Sequence, residues 1–110
     1  MDEASDSTII ARLFELIESR KGANPEVSRT ALLFHRGVPK IAQKVGEEAV
    51  EAAIAAVQGS RDQLVSESAD LLYHLLVLWS AMGIAPADVY AELHRREGTS
   101  GIEEKRSRGK

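Results

Sequence analysis

The sequence contains no cysteine among its 110 residues. That absence excludes a disulfide framework and any thiolate metal site, fits a reducing cytoplasm, and leaves oxygen and imidazole as the donors for a metal ion. Long apolar runs are missing too, since nothing approaches the roughly 20 residues that a membrane span needs. The first seven residues, MDEASDS, are acidic instead of basic, so neither export nor membrane attachment is expected and a cytoplasmic location is. Nor is there an excess of positive charge. A formal net charge of −3 and a pI near 5.6 argue against nucleic acid as the main partner, because phosphate-backbone binding needs a concentrated basic face. An anionic ligand would require a local exception to that balance. A chain of this length holds one core, and a small domain buries a smaller share of its surface than a large one, which favours an oligomer.

β-type alternation is scarce, whereas helical spacing recurs throughout. Ile9, Ile10, Leu13, Phe14, Leu16 and Ile17 predict a first helix over about 8–21, with Ser7 as a cap and Gly22 as a stop. Gly22-Ala23-Asn24-Pro25 is turn chemistry, and Ser28 can cap a short helix carrying Leu32, Leu33 and Phe34 that ends at Gly37. Pro39 suits the first turn of a third helix, about 39–58, which Gly59 stops. Ser60 with Gln63 three residues on is a capping-box pattern, opening a fourth helix that reaches Met82 before Gly83. Pro86 starts a last helix, about 86–96, with Val89, Tyr90 and Leu93 on its apolar side. The expectation is one all-α domain over 1–98 without internal repeats, followed by a mobile tail over 99–110 that mixes Gly, Ser and charge.

The third and fourth helices are unusual. At about 100° per residue, Lys40, Lys44, Glu47, Glu48 and Glu51 fall within a sector of roughly 100° on the third, and the rest of its surface is almost wholly apolar. On the fourth, Glu67, Asp70 and His74 share a sector of about 60°. An ordinary surface helix has a wide polar face and a narrower apolar stripe. Here the proportions are reversed. Helices apolar nearly all round leave one face unburied in a monomer, so the sequence predicts a helical bundle completed by homodimerisation.

The carboxylates are also mirrored about the turn. Glu51 and Glu48 lie 8 and 11 residues before Gly59, and Glu67 and Asp70 lie 8 and 11 residues after it. In an antiparallel helical hairpin, a rise of about 1.5 Å per residue sets both pairs at one level, Glu51 facing Glu67 and Glu48 facing Asp70. Four carboxylates converging between apolar helices repel one another unless a cation neutralises them or some take up protons. An all-oxygen set, with His74 only at its margin, favours Mg²⁺, with Mn²⁺ the nearest substitute, over Zn²⁺. The plainer alternative is a solvated charged face, with Lys44 and Glu48 an ordinary i, i+4 pair. Lys40 and Lys44, one and two turns before the acids, are placed to meet the outer phosphates of a substrate whose inner phosphates bridge the metal. Glu47 is open between metal ligand, water-orienting base and solvated edge. Gly46, costly inside a helix by about 1 kcal/mol, suggests a close approach by a helix or a phosphate.

Glu48-x-x-Glu51 followed after 15 residues by Glu67-x-x-Asp70 resembles the signature of the all-α MazG-like nucleoside-triphosphate pyrophosphohydrolases. The longer runs GVPKIAQKVGEEAVE, Gly37 to Glu51, and ESADLLYHLLVLW, Glu67 to Trp79, are more specific and resemble the phosphoribosyl-ATP pyrophosphohydrolases of histidine biosynthesis. The similarity extends over roughly residues 7–96. It implies hydrolysis of 1-(5-phosphoribosyl)-ATP to the AMP compound and pyrophosphate, attack at the α-phosphorus, Mg²⁺ dependence and a helical homodimer. It places metal ligands on Glu48, Glu51, Glu67 and Asp70, with Glu47 adjoining them, and phosphate contacts on Lys40 and Lys44. One departure is local: members often read Ser-Tyr-Thr before the short helix, where this chain has Ser28-Arg29-Thr30. The free-standing form is expected, since the fused phosphoribosyl-AMP cyclohydrolase of some members would need more residues than these and cysteine for its metal. Two rivals stand beside this reading, a housecleaning pyrophosphohydrolase of canonical or damaged nucleotides and a non-catalytic helical dimerisation module.

Overall fold

Five helices and no strand occupy the residues that the computed structural model describes, 8–98. They are α1 (Ile9–Ser19), α2 (Arg29–Arg36), α3 (Val38–Val57), α4 (Arg61–Ala81) and α5 (Pro86–Arg96). The all-α architecture is the one the periodicity predicts. The expected Ser7 cap and the tail over 99–110 lie outside the described residues. The first helix ends two residues sooner than its spacing suggests, because Arg20 and Lys21 donate to the carbonyls of Ile17 and Glu18 and so tighten the chain into a turn.

Local chemistry sets the other boundaries. Ser28 Oγ accepts from the Ala31 N–H at 3.1 Å and caps α2, an interaction typically worth about 1 kcal/mol. Asn24 Oδ1 accepts from the Glu26 N–H at 2.9 Å, which bends the preceding loop. Gly37 alone joins α2 to α3 at φ +92°, a conformation that a side chain would strain. Between α3 and α4, Gly59 at φ +76° closes a Schellman turn: its N–H donates to Ala56 and the Ser60 N–H donates to Ala55. Ser60 Oγ then accepts from the Gln63 N–H at 3.3 Å. The reciprocal half of the capping box is replaced, since the Ser60 N–H already serves α3. Two helices of 20 and 21 residues are thereby folded back on one another with almost no linker.

The α3–α4 pair forms the most extensive helix contact, and α1 and α2 pack on α4 and α3 at the end remote from Gly59. Ile17, Leu33, Ile41, Leu76 and Val77 form the buried centre, with Ile10, Leu13, Phe14, Phe34, Tyr73 and Trp79 packed around it. Tyr73 Oη and Thr30 Oγ1 share a hydrogen bond of 2.5 Å that ties α2 to α4. Lys21 fixes the end of α1, donating to the Ser80 carbonyl at 2.9 Å and standing 5.5 Å over the Phe34 ring. Near the hairpin tip the picture changes: Val50, Ile54, Val57 and Val65 are exposed, Val57 by 89%. Among the described residues no single helix is long and apolar enough to cross a membrane.

Candidate active site

The mirrored spacing brings carboxylates together midway along the hairpin. Glu48 of α3 and Glu67 and Asp70 of α4 each offer an oxygen, and the three oxygens lie within 4.8 Å of one another. Glu48 is only 8% exposed, because α3 turns it inward on the face that carries Ile41 and Ala55. The Oε2 atoms of Glu48 and Glu67 are buried and lack any hydrogen-bond partner. A solvated charged face would expose these oxygens to water. Buried carboxylate oxygens without donors are instead what a cation site presents, and hard oxygen donors in this number fit a divalent ion.

The electrostatics agree. Burial raises the Glu67 carboxyl to about 7, and the Glu51 and Glu48 carboxylates beside it add to the rise. Burial likewise raises the Glu48 carboxyl above the ordinary glutamate range, with Glu51 and Asp70 adding and His74 opposing. Glu51 is itself exposed and outside the closest trio, yet it bears on both the buried Glu48 and the half-buried Glu67. His74, 2% exposed, donates from Nδ1 to the Asp70 carbonyl at 2.8 Å, which settles its tautomer when neutral and leaves Nε2 without a partner. The Tyr73 ring edge holds that imidazole, with centroids 4.9 Å apart.

Glu47 is placed differently. Its carboxylate accepts from Gln43 Nε2 at 2.7 Å and Lys44 Nζ at 3.3 Å, and these bonds hold it below the usual glutamate range. With Glu51, Gly46 and Val50 it borders a shallow cleft of about 580 Å³ beside the acidic trio. Gly46 is open: a side chain there would meet nothing within 4 Å, so none of the described helices approaches it closely. Lys40 and Lys44 line a second cleft, of about 230 Å³, together with Arg29 and Arg36 of α2. Arg36 carries no signal in a reading of α3 alone, although its position four residues before Lys40 across Gly37 was the available clue.

A family model described as phosphoribosyl-ATP pyrophosphohydrolase matches residues 10–97, all five helices nearly end to end. The chain belongs to that family. Its relatives include the phosphoribosyl-ATP pyrophosphatase of Paramagnetospirillum magneticum, 61% identical over 107 residues that cover 97% of this chain and 98% of the relative. That of Parvibaculum lavamentivorans is 60% identical over 106 residues, covering 96% and 97%. The enzyme of Geobacter sulfurreducens is 56% identical over 108 residues, covering 98% of both. Chain and relatives therefore coincide over nearly their whole lengths. This phosphoribosyl-ATP pyrophosphohydrolase family member keeps its acidic residues on the α3–α4 hairpin, where Gly59 and the helical rise register them.

Proposed function

We propose that this chain hydrolyses 1-(5-phosphoribosyl)-ATP to 1-(5-phosphoribosyl)-AMP and pyrophosphate, the second step of histidine biosynthesis, with Mg²⁺ as the cofactor and Mn²⁺ as a substitute. The observation that carries the chemistry is the pair of buried, unpartnered glutamate oxygens beside Asp70 on the facing helix. Near-complete coverage of relatives named phosphoribosyl-ATP pyrophosphatase supports the substrate.

Glu48, Glu51, Glu67 and Asp70 are the residues that would hold Mg²⁺. When bound, the ion supplies Lewis-acid stabilisation of charge on the phosphoryl oxygens. The chain's own residues do the positioning. Lys40 and Lys44 receive the outer phosphates and favour departure of pyrophosphate as one unit. Glu47, kept ionised by Gln43 and Lys44, orients the attacking water from the edge of the trio. His74 and Tyr73 form the wall behind Glu48 and Asp70. The water oxygen bonds to the α-phosphorus as its proton passes to a carboxylate of the site, the bond to the bridging oxygen breaks, and pyrophosphate carries away the electron pair.

A panel of phosphoribosyl-ATP, ATP, dUTP and dCTP, each scored for pyrophosphate in Mg²⁺, tests the assignment. Turnover confined largely to phosphoribosyl-ATP is expected. Equal or better hydrolysis of an ordinary nucleotide would favour a housecleaning enzyme, and no pyrophosphate from any of them would favour a dimerisation module.

The exposed valines and isoleucine at the hairpin tip support the homodimer. Light scattering should report twice the chain mass, and a monomer stable at micromolar concentration would refute it.

A further inference from the structure

The cleft between α2 and α3 holds a charge pattern that the balance of the whole chain does not foretell. Arg29 and Arg36 stand two turns apart on α2, Lys40 and Lys44 one turn apart on α3, and Leu32 and Leu33 make the floor between them. Among the described residues no acidic one lines it. Lys44 has Glu47 at 3.3 Å and Lys40 bears on the same carboxylate, whereas Arg29 and Arg36 form no ion pair among the described residues. Four cations over an apolar floor, in a chain of net charge −3, repel one another unless an anion joins them.

We infer that this cleft is the pyrophosphate pocket, in which Arg29 and Arg36 share the β- and γ-phosphates of the substrate, and then the released product, with Lys40 and Lys44. The inference rests on the hydrolase reading above and adds two residues of α2 to it. Position selects the ligand. Lys44 precedes Glu48 by one helical turn, about 6 Å of rise, so the cleft opens beside the acidic trio. A leaving group that departs from the trio meets it first. The 5′-phosphate at the far end of the substrate is separated from the reacting phosphorus by the whole adenosine. Arginine also suits the task, since its planar fork grips two phosphate oxygens at once where lysine offers a point charge. The hinge at Gly37 sets the angle that brings the α2 arginines over the α3 lysines.

The test titrates inorganic pyrophosphate into the full chain in Mg²⁺ by calorimetry and measures its product inhibition, for wild type, R29A, R36A and the double variant. R61A, at the other end of the hairpin, controls for general charge, and ribose 5-phosphate serves as the competing probe. R29A and R36A should each weaken pyrophosphate about tenfold and the double variant more, with melting temperatures unchanged and R61A within about twofold of wild type. Unchanged pyrophosphate affinity in the double variant would overturn the assignment, as would a loss confined to ribose 5-phosphate. Failure of the wild type to cleave phosphoribosyl-ATP would strike the hydrolase reading, while the pyrophosphate titrations would still decide the cleft.

Discussion

Replacing Glu67 by glutamine is expected to lower pyrophosphate release by at least about 100-fold, since it removes a formal charge from the cluster proposed to hold a cation and leaves the shape in place. Glu48→Gln should behave alike. Circular dichroism should show the same helix content as wild type, because the Oε2 atoms of both glutamates have no hydrogen-bond partner to lose. The two roles a buried glutamate can play make opposite forecasts for the metal-free protein. A structural carboxylate loses partners when neutralised, and stability falls. A member of a self-repelling cluster loses repulsion, and stability holds or rises. Near-wild-type turnover of E67Q at limiting Mg²⁺, or a large drop in its metal-free melting temperature, would contradict the assignment.

Metal-free protein should lose thermal stability as pH rises from about 4.5 to 7.5, the reverse of ordinary acid denaturation. An unfolded glutamate titrates near 4.3, whereas the folded Glu67 carboxyl is raised to about 7 and Glu48 is also raised. Between those values the native state holds protons that the unfolded state has released, so stability declines with pH through this window and the decline is complete above it. Glu18, Glu47 and Glu92 are shifted the other way, and their contributions are lost only as pH falls below the ordinary glutamate range. The two windows do not overlap. Melting curves in EDTA across pH 5 to 8 read the slope directly. It should flatten in E67Q and in wild type with saturating Mg²⁺, and its absence in metal-free wild type would show that the trio is not self-repelling.

Much of this site is legible in the sequence because a helix has a fixed rise and Gly59 a fixed consequence. Once residues 8 and 11 places either side of a glycine turn are all acidic, their common level follows, and Glu48, Glu67 and Asp70 do converge. The sector argument is coarser. It groups Glu47 with Glu48, yet one residue of helix, about 100°, separates a buried oxygen from a carboxylate held by Gln43 and Lys44 at the rim. Exposure of Glu51 beside burial of Glu48 has the same origin, since only the packing of α4 decides where the edge of the groove falls. The cationic cleft was hardest to foresee. Periodicity describes one helix at a time, and the meeting of Arg29 and Arg36 with Lys40 and Lys44 depends on the bend at Gly37. Likewise the tautomer of His74 hangs on a bond to a backbone carbonyl that no side-chain pattern announces.

The most direct measurement is a magnesium titration of the reaction itself. Protein stripped of metal with a chelator and dialysed is given phosphoribosyl-ATP, Mg²⁺ is added in steps, and pyrophosphate, orthophosphate and nucleotide are quantified together. Release of pyrophosphate and phosphoribosyl-AMP in equal amounts, rising from background to saturation with Mg²⁺ and absent in E67Q, is the predicted result. Turnover that survives the chelator undiminished, or orthophosphate accompanied by phosphoribosyl-ADP, would contradict the account.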